Sequence, residues 1–275
     1  MPLYSGYGGP NEIRYLFVDG GSLRGKLDNI SRDLFQGKKF DLDFTKLVSD
    51  FTKVFYYDAV PVQRDGEDEA TYNARIRSQR ELLDSAAGVD RIHVYEGDAR
   101  KRRKVGGLEQ KKVDVMIAVD MLTHTFRRNM HKATLLTGDN DFKPLIDALV
   151  LEGMFVTLWY PYGESSKELM NAADTRRRLS IQDLRGLLTS NSAQDFSLPV
   201  ATNLAPSVEP GKRITEWVSD DVRYTLNVEG DEYIVLRDGD KLNRLNLRHR
   251  DLDLLRRYCK EEFDTDVPQI ANGVI

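Results

Sequence analysis

The chain has 275 residues, of which 40% are hydrophobic and 31% are charged, and its formal net charge is −4. Because no run approaches the roughly 18 apolar residues that cross a bilayer, and because Cys259 is the single cysteine, we expect neither a membrane span nor a disulfide framework or thiolate zinc site. The N-terminal residues do not resemble a signal peptide, so the predicted location is the cytoplasm.

The chain up to residue 188 alternates between strand-like and helix-like segments. Short apolar runs predict five strands, at Tyr15–Val18, Val54–Tyr57, Arg91–Tyr95, Ala133–Thr137 and Phe155–Trp159. Helical patterns cover Glu69–Ala86, Val113–Asn129 and Phe142–Glu152. Strands separated by such helices predict an α/β fold with a mostly parallel central sheet that is covered on both faces. The second helix is apolar nearly all round from Val113 to Leu122, so we expect it to be packed in the core.

The composition changes after Leu188. Residues 189–211 are rich in Ser, Asn, Ala and Pro without a sustained period, which predicts a linker between a domain at 1–188 and a module at 212–275. In that module, Val222–Val228 and Tyr233–Leu236 are expected to form a hairpin, and Asp251–Phe263 an amphipathic helix. The prediction is therefore a small C-terminal α+β module.

Several aspartates stand where predicted strands end or where a helix begins. Asp19 ends the first strand before two glycines, Asp139 and Asp141 follow the fourth strand, and Asp114 opens the apolar helix. In doubly wound sheets, ligands bind at the carboxyl ends of strands where the strand order reverses. If the first and fourth strands are neighbours, these acids meet there, and a hard divalent cation such as Mg²⁺ would relieve their repulsion. Such a centre can activate water for the cleavage of a phosphoester.

Each acid also has a structural interpretation. Asp141 is suited to cap the following helix, Asp19 to an ordinary turn, and Asp114 to the positive end of its helix dipole. Asp120 lies six residues after Asp114, about 120° further round the helix, so it is a reserve candidate for the same ion. Asp58 also ends a predicted strand, and we interpret it as a structural turn residue.

The motifs around these acids resemble a known family. The segments YLFVDGGSLR, KKVDVMIAVDMLTHTF and ATLLTGDNDFKPLIDALVLEGMFVTLW are similar to the NYN-domain family, in particular to the LabA-like branch of the PIN-like nucleases, from Tyr15 to Leu184. The specific feature is the combination of K-x-V-D, an aspartate six residues later, and T-G-D-x-D-F. The resemblance implies a PIN-like three-layer α/β/α fold and endoribonuclease activity that depends on Mg²⁺ or Mn²⁺.

The resemblance also implies roles for individual residues. The acidic metal site would consist of Asp19, Asp114, Asp139 and Asp141, with Asp120 as a further recurrent acid. One position departs from the family, which usually carries Asn three residues after the first aspartate, where this chain carries Ser22. A hydroxyl is shorter than an amide and would hold a water or a phosphate differently.

A basic segment precedes the apolar helix. From Asp98 to Lys112 the sequence contains seven Lys and Arg residues and only two acidic residues. Lys and Arg side chains supply sequence-independent contacts to phosphate. The residues assigned to nucleic-acid contact are Ser22, Arg100, Lys101, Arg102, Arg103, Lys104 and Lys112. A solvated surface loop is the structural alternative. Tyr160 and Tyr162 could stack unpaired bases or pack in the core, and Arg176–Arg178 is interpreted as a solvated helix face.

The main hypothesis is a metal-dependent endoribonuclease that hydrolyses single-stranded or structured RNA with a metal-activated water. The alternative is a catalytically weak or inactive NYN domain that binds RNA or protein, with the C-terminal module contacting a protein partner. A haloacid-dehalogenase phosphatase is disfavoured because Gly21 stands where its second aspartate would be. A dinucleotide-binding domain is disfavoured because the glycines after the first strand do not match G-x-G-x-x-G. The sequence leaves a homo-oligomer open.

Overall fold

The computed structural model describes residues 12–101, 108–109, 111–161, 165–239 and 243–269. Their side chains are described except those of residues 98–111. The described residues of Met1–Asn29 and Lys39–Ser192 form one compact unit, and those of Ile30–Lys38 and Ala193–Ile275 form a second. None of the helices in these ranges has the length and hydrophobicity to cross a membrane.

The first unit contains a seven-stranded sheet. Its strands are β1 (Arg14–Asp19), β2 (Lys53–Pro61), β3 (Ile92–Lys101), β4 (Leu108–Glu109), β5 (Lys132–Leu136), β6 (Phe155–Pro161) and β7 (Thr175–Leu179). The order across the sheet is β4-β3-β2-β1-β5-β6-β7. Six strands are parallel, and only the short β4 runs antiparallel to its neighbour β3. The predicted mostly parallel sheet is confirmed.

Helices cover both faces of this sheet. The helices of this part of the chain are α1 (Gly20–Phe35), α2 (Glu69–Ala87), α3 (Lys111–Phe126), α4 (Lys143–Leu151), α5 (Lys167–Ala172) and α6 (Ile181–Gly186), and α7 (Ser190–Asp195) follows at the boundary between the two units. On β2, Asp58 bonds to side chains of α1 and α2, whereas the adjacent Tyr57 bonds to Asp120 of α3. Because successive side chains of a strand point to opposite faces, α1 and α2 lie on one face and α3 on the other. This confirms the three-layer α/β/α arrangement.

Helix α3 differs from its prediction of burial all round. Val113, Ile117 and Met121 face the sheet and are at most 1% exposed, but Val115 is 61% exposed and Val119 is 54% exposed. A helix in the outer layer of a three-layer fold buries only the stripe that repeats every three to four residues. Its apolar outer positions therefore gave a misleading indication of complete burial.

Two further sequence interpretations are wrong. Asp58 is not a turn residue: β2 continues past it to Pro61, and its carboxylate is fully buried in a two-point ion pair with Arg24. The Arg176–Arg178 segment is not a helix face, because it lies in β7 and pairs with β6. Charged residues on a sheet edge can mimic a solvated helix in sequence, since one strand face remains accessible to water.

The second unit is an antiparallel sheet with one long helix. Its elements are β8 (Val200–Leu204), β9 (Lys212–Ser219), β10 (Val222–Glu229), β11 (Glu232–Asp238), β12 (Arg244–His249) and α8 (Leu252–Phe263). The predicted hairpin is confirmed as β10 and β11, and the predicted helix as α8, which is capped by Asp251. The range predicted as a linker contains α7 and β8, and β8 is held by backbone pairing to β12. Most side chains of β8 are exposed, so hydrophobic periodicity did not reveal it. The boundaries at 188 and 211 stay a prediction.

Candidate metal centre

Strands β1 and β5 meet at the point where the strand order reverses. Val18 of β1 pairs with Leu136 of β5, so Asp19 lies beside Thr137 at the carboxyl ends of the two strands. On one side of this pair the sheet continues to β2 and β3, and on the other side to β6 and β7. The expected neighbourhood of the first strand and the strand before the TGDND segment is confirmed. This is the edge at which open α/β sheets bind ligands.

Asp19 is held at this edge in a fixed orientation. Only 5% of it is exposed. One carboxylate oxygen accepts from the Ser22 backbone N–H at 3.1 Å, and the other accepts from the hydroxyls of Ser22 at 2.7 Å and Thr137 at 2.9 Å. Burial raises the pKa of Asp19 above its ordinary value, although the hydrogen bonds from Ser22 and Thr137 oppose the shift and nearby Asp139 adds to it.

Ser22 and Thr137 also connect the two loops of the site. The Ser22 hydroxyl accepts from the Gly138 backbone N–H at 3.2 Å, and the Thr137 hydroxyl accepts from the Asp139 N–H at 3.0 Å. In the sequence, Thr137 is recognisable only as the end of a predicted strand. Its place directly before Gly138 and Asp139 was the signal that could have identified it, because a hydroxyl there can reach the backbone two residues later.

Gly20 allows α1 to begin directly after Asp19. A Cβ atom at this position would lie 2.7 Å from the ring of Tyr56 and from the Tyr57 carbonyl oxygen, which is closer than side-chain carbons approach other atoms. The glycine therefore serves a close approach of the backbone to β2. This approach places Ser22 one turn away from Asp19.

Asp139 and Asp141 follow β5 in a single turn of 3-10 helix, Asn140–Phe142. Asp139 caps this turn, because its side chain accepts from the Asp141 N–H at 2.9 Å. The cap residue of α4 is Phe142, which makes no side-chain cap bond. The interpretation of Asp141 as the helix cap is therefore wrong. Asp139 caps the 3-10 turn, and Asp141 is exposed at the rim of the site.

Asp114 joins this group from the first turn of α3. Its pKa is raised to about 6, first by burial and then by the negative charges of Asp19, Asp139 and Asp141. A carboxylate raises the pKa of another carboxyl only when the two groups are close, so Asp19, Asp139 and Asp141 all lie near Asp114. The four aspartates therefore lie within electrostatic reach of one another, and their role as metal ligands stays a prediction.

The donor chemistry of this group fits a hard divalent cation. All four side chains offer carboxylate oxygen, and their mutual repulsion is the kind that Mg²⁺ or Mn²⁺ relieves. Within the described ranges, no set of three or more His, Cys, Asp or Glu side chains is positioned to ligate one ion together. Mg²⁺ needs less than that, because proteins typically hold it with one or two carboxylates while it keeps several waters.

Asp120 lies elsewhere on α3. Its carboxylate accepts a hydrogen bond of 2.8 Å from the Tyr57 hydroxyl, and burial together with this bond raises the pKa of Tyr57. Asp120 is not among the charges that raise the pKa of Asp114. This separation agrees with its lower rank in the sequence analysis. Its role as a reserve metal ligand stays a prediction.

The basic residues are described only in part. Lys112 is exposed on the first turn of α3, and the backbones of Arg100 and Lys101 end β3. Arg102, Arg103 and Lys104 lie outside the described residues, as does Tyr162. Tyr160 lies near the end of β6 and packs partly against the core. Contact of these residues with nucleic acid stays a prediction.

The raised pKa of Asp114 predicts that metal binding depends on pH. Between its ordinary value of 3.8 and about 6, the folded chain keeps a proton that the unfolded chain has released, so without metal the stability falls as pH rises through this window. A cation must displace that proton. At about pH 5, only about a tenth of Asp114 is ionised, and we expect roughly tenfold weaker Mn²⁺ binding than at about pH 7.5.

Thermal unfolding with and without Mn²⁺ at the two pH values measures this effect as a shift in Tm. In Asp114→Asn, the shift caused by Mn²⁺ should be small and should change less with pH than in the wild-type chain. An equal shift at both pH values in the wild-type chain would contradict the predicted role of Asp114 as the titrating group.

Comparisons with known proteins identify the family. A solved structure, that of a protein of unknown function from Vibrio parahaemolyticus RIMD 2210633, is 18% identical with a TM-score of 0.47, and the match covers 66% of this chain and 99% of that chain. Among curated proteins, none matches. The family model described as the NYN domain matches residues 15–180, which is more than half of the chain and includes all four aspartates. The chain belongs to the NYN domain family.

Proposed function

We propose that this protein is a divalent-metal-dependent endoribonuclease that hydrolyses phosphodiester bonds of RNA. The observation that carries the proposal is the convergence of Asp19, Asp114, Asp139 and Asp141 at the switch point of the sheet. Membership of the NYN domain family supports it, because NYN domains are generally nucleases of the PIN-like type. Within that family, we assign the chain to the LabA-like branch.

Asp19, Asp114, Asp139 and Asp141 would hold Mg²⁺ or Mn²⁺, with one or two carboxylates contacting the ion directly and the others contacting the waters that it keeps. When bound, the ion supplies an activated water and compensates the negative charge that develops on the phosphate. Ser22 and Thr137 orient the Asp19 carboxylate through their hydroxyls. Asp139 has one oxygen in the capping bond to the Asp141 N–H, which fixes its direction. Since these bonds exist before substrate binds, the acidic groups need little rearrangement to act.

The remaining assignments concern substrate and partners. The basic residues Arg100–Lys104 and Lys112 are proposed to contact the RNA backbone, with Ser22 close to the phosphate, and such contacts carry no sequence preference. We assign the 212–275 module a protein partner, and we place the protein in the cytoplasm. A homo-oligomer is compatible with this proposal.

Ser22 supports the alternative function. The family usually carries Asn at this position, and the serine hydroxyl is occupied by Asp19 and the Gly138 N–H. A chain whose acidic site holds RNA and metal without positioning water correctly would be a binding module. It would bind RNA with the same salt dependence and would not cut it.

Incubation of the purified chain with end-labelled RNA separates the two functions. The endoribonuclease proposal expects internal cleavage with Mg²⁺ or Mn²⁺ that stops when EDTA removes the metal. DNA strands of matched length test whether the 2′-hydroxyl is required. Retention of RNA without cleavage under either ion would favour the binding module and would end the catalytic proposal.

A further inference from the structure

Helix α3 carries an apolar stripe on the side that faces away from the sheet. Val115, Val119, Leu122 and Phe126 follow one another at intervals of four, three and four residues. At about 100° per residue, they lie within roughly 60° of one another around the helix axis. Val115 is 61% exposed, Val119 is 54% exposed and Phe126 is 63% exposed, while Leu122 is partly buried. Within one chain, this outer stripe is therefore open to solvent.

The borders of the stripe are uncharged through its middle. Met116 and Thr123 lie on one side of it and Ala118 on the other, and all three are partly buried. The two acids of the helix lie further round, with Asp114 close to the acidic centre and Asp120 bonded to the sheet. A surface that selects a charged peptide presents charges of the opposite sign. This stripe is suited to another apolar surface instead.

The spacing of the stripe identifies the kind of surface that fits it. Intervals of four, three and four residues are those of a coiled-coil seam, in which apolar side chains of one helix insert between those of another. A second α3 presents the same seam, and a two-fold dimer pairs one patch with its own copy. Because α3 is already held on the sheet in each chain, this pairing requires no ordering of a flexible segment.

The exposed area is sufficient for a dimer. Leu151, at the end of the neighbouring α4, is 85% exposed. Together with Val115, Val119 and Phe126 it exposes roughly 450 Å² of apolar surface, which is the size of a functional patch on a monomer. Two such patches in contact bury about 900 Å², and the side chains at their borders raise this to about 1,200 Å². That area is the lower end of the range for stable interfaces.

We propose that α3 is the interface of a homodimer, in which Val115, Val119, Leu122 and Phe126 pack against the same residues of a second copy. This inference goes beyond the proposed function and requires neither metal nor RNA. An interface of this size without charged pairs would give a dimer of moderate affinity.

Sedimentation velocity of the full chain tests the proposal. The wild-type chain, 31.4 kDa per copy, should sediment as a dimer with a dissociation constant on the order of micromolar. Val119→Glu places a charge in the seam of each copy and should raise this constant at least about 100-fold. Val119→Leu keeps the seam apolar and should stay within roughly threefold. Circular dichroism at low concentration should show both variants folded, because Val119 is exposed in the single chain.

The matched control is Val218→Glu. Val218 lies on β9 in the second unit and is 67% exposed, so the same substitution there should leave the dimer intact. Crosslinking gives a second readout, since the native Cys259 is fully buried and does not compete for the reagent. A short bismaleimide should join two copies of Val119→Cys and should not join two copies of Val218→Cys.

Three results of these experiments would overturn the proposal. They are a wild-type chain that stays monomeric at roughly 100 µM, a dimer that persists in Val119→Glu, and an equal loss of association in Val218→Glu. Vesicles of phosphatidylcholine and phosphatidylglycerol test the other apolar surface that a helix of this kind can meet. A monomeric chain that binds these vesicles, and loses them in Val119→Glu, would assign the stripe to a membrane surface and would also overturn the dimer.

Discussion

Replacing Asp139 with Asn is expected to lower the rate of metal-dependent RNA cleavage on the order of 1,000-fold, because metal ions contribute several kcal/mol of charge stabilisation. Asn has the same shape but no negative charge, so it weakens the hold on the cation. It also remains a good cap residue, and the bond from the Asp141 N–H can persist. The fold around β5 should therefore survive, and the loss should appear in kcat/KM with little change in Tm.

Asp147→Asn is the control for this experiment. Asp147 is a half-exposed acid on α4 that pairs with Lys143, outside the acidic centre. Its replacement removes the same charge and should leave cleavage within about twofold, since exposed pairs of this kind contribute little. Equal cleavage by the wild-type chain and Asp139→Asn would mean that the activity comes from another site or from a contaminating nuclease.

Replacing Asp58 with Ala is expected to lower the free energy of unfolding by about 3 kcal/mol, the lower end of the cost of breaking a buried ion pair. Asp58 is fully buried and receives two hydrogen bonds from Arg24, with further bonds from Gln79 and the Ala59 N–H. Its loss would leave the guanidinium without its carboxylate. Because the Arg24 side chain is 33% exposed, water can compensate part of the loss. Urea unfolding followed by circular dichroism measures the change.

The control for Asp58 is Glu81→Ala. Glu81 pairs with Arg77 on the surface of α2, where both side chains are more than half exposed, so its removal should cost about 0.5 kcal/mol or less. The double variant Arg24→Ala with Asp58→Ala should recover part of the loss, because no charge is then left without its partner. A change in Asp58→Ala as small as in Glu81→Ala would show that the buried pair does not hold α1 against β2.

The sequence predicted those parts of the fold whose periodicity is local. The five strands that it indicated are β1, β2, β3, β5 and β6, since continuous apolar runs identify buried parallel strands. Helix α1 was missed because two glycines open it, although Leu23, Leu27, Ile30 and Leu34 repeat at helical spacing and are all buried. The helical spacing of these four apolar residues predicts helix α1 when it is given more importance than the two glycines.

The candidate site was predicted only as a set of residues. Acids at strand ends and a family motif selected Asp19, Asp114, Asp139 and Asp141, and the structure places them within electrostatic reach of one another. Their partners could not be predicted in the same way. The bond from Thr137 to Asp19 depends on the pairing of β1 with β5, which are more than 100 residues apart in the chain. The register of distant strands is decided by the packing of the whole sheet, and no local pattern contains it.

The same reason explains why the partner of Asp120 was not foreseen. Asp120 was recognised as an acid of the helix, but its bond to Tyr57 required the position of α3 on the sheet. Features of this kind become predictable only after the sheet order is known.

Isothermal titration of the purified chain with Mn²⁺ at neutral pH tests the acidic centre most directly, because it requires neither RNA nor turnover. The wild-type chain is expected to bind one or two ions, and binding should be lost or strongly weakened in Asp114→Asn and in Asp139→Asn but retained in Asp147→Asn. Absence of Mn²⁺ binding by the wild-type chain would contradict the assignment of Asp19, Asp114, Asp139 and Asp141 as a metal centre.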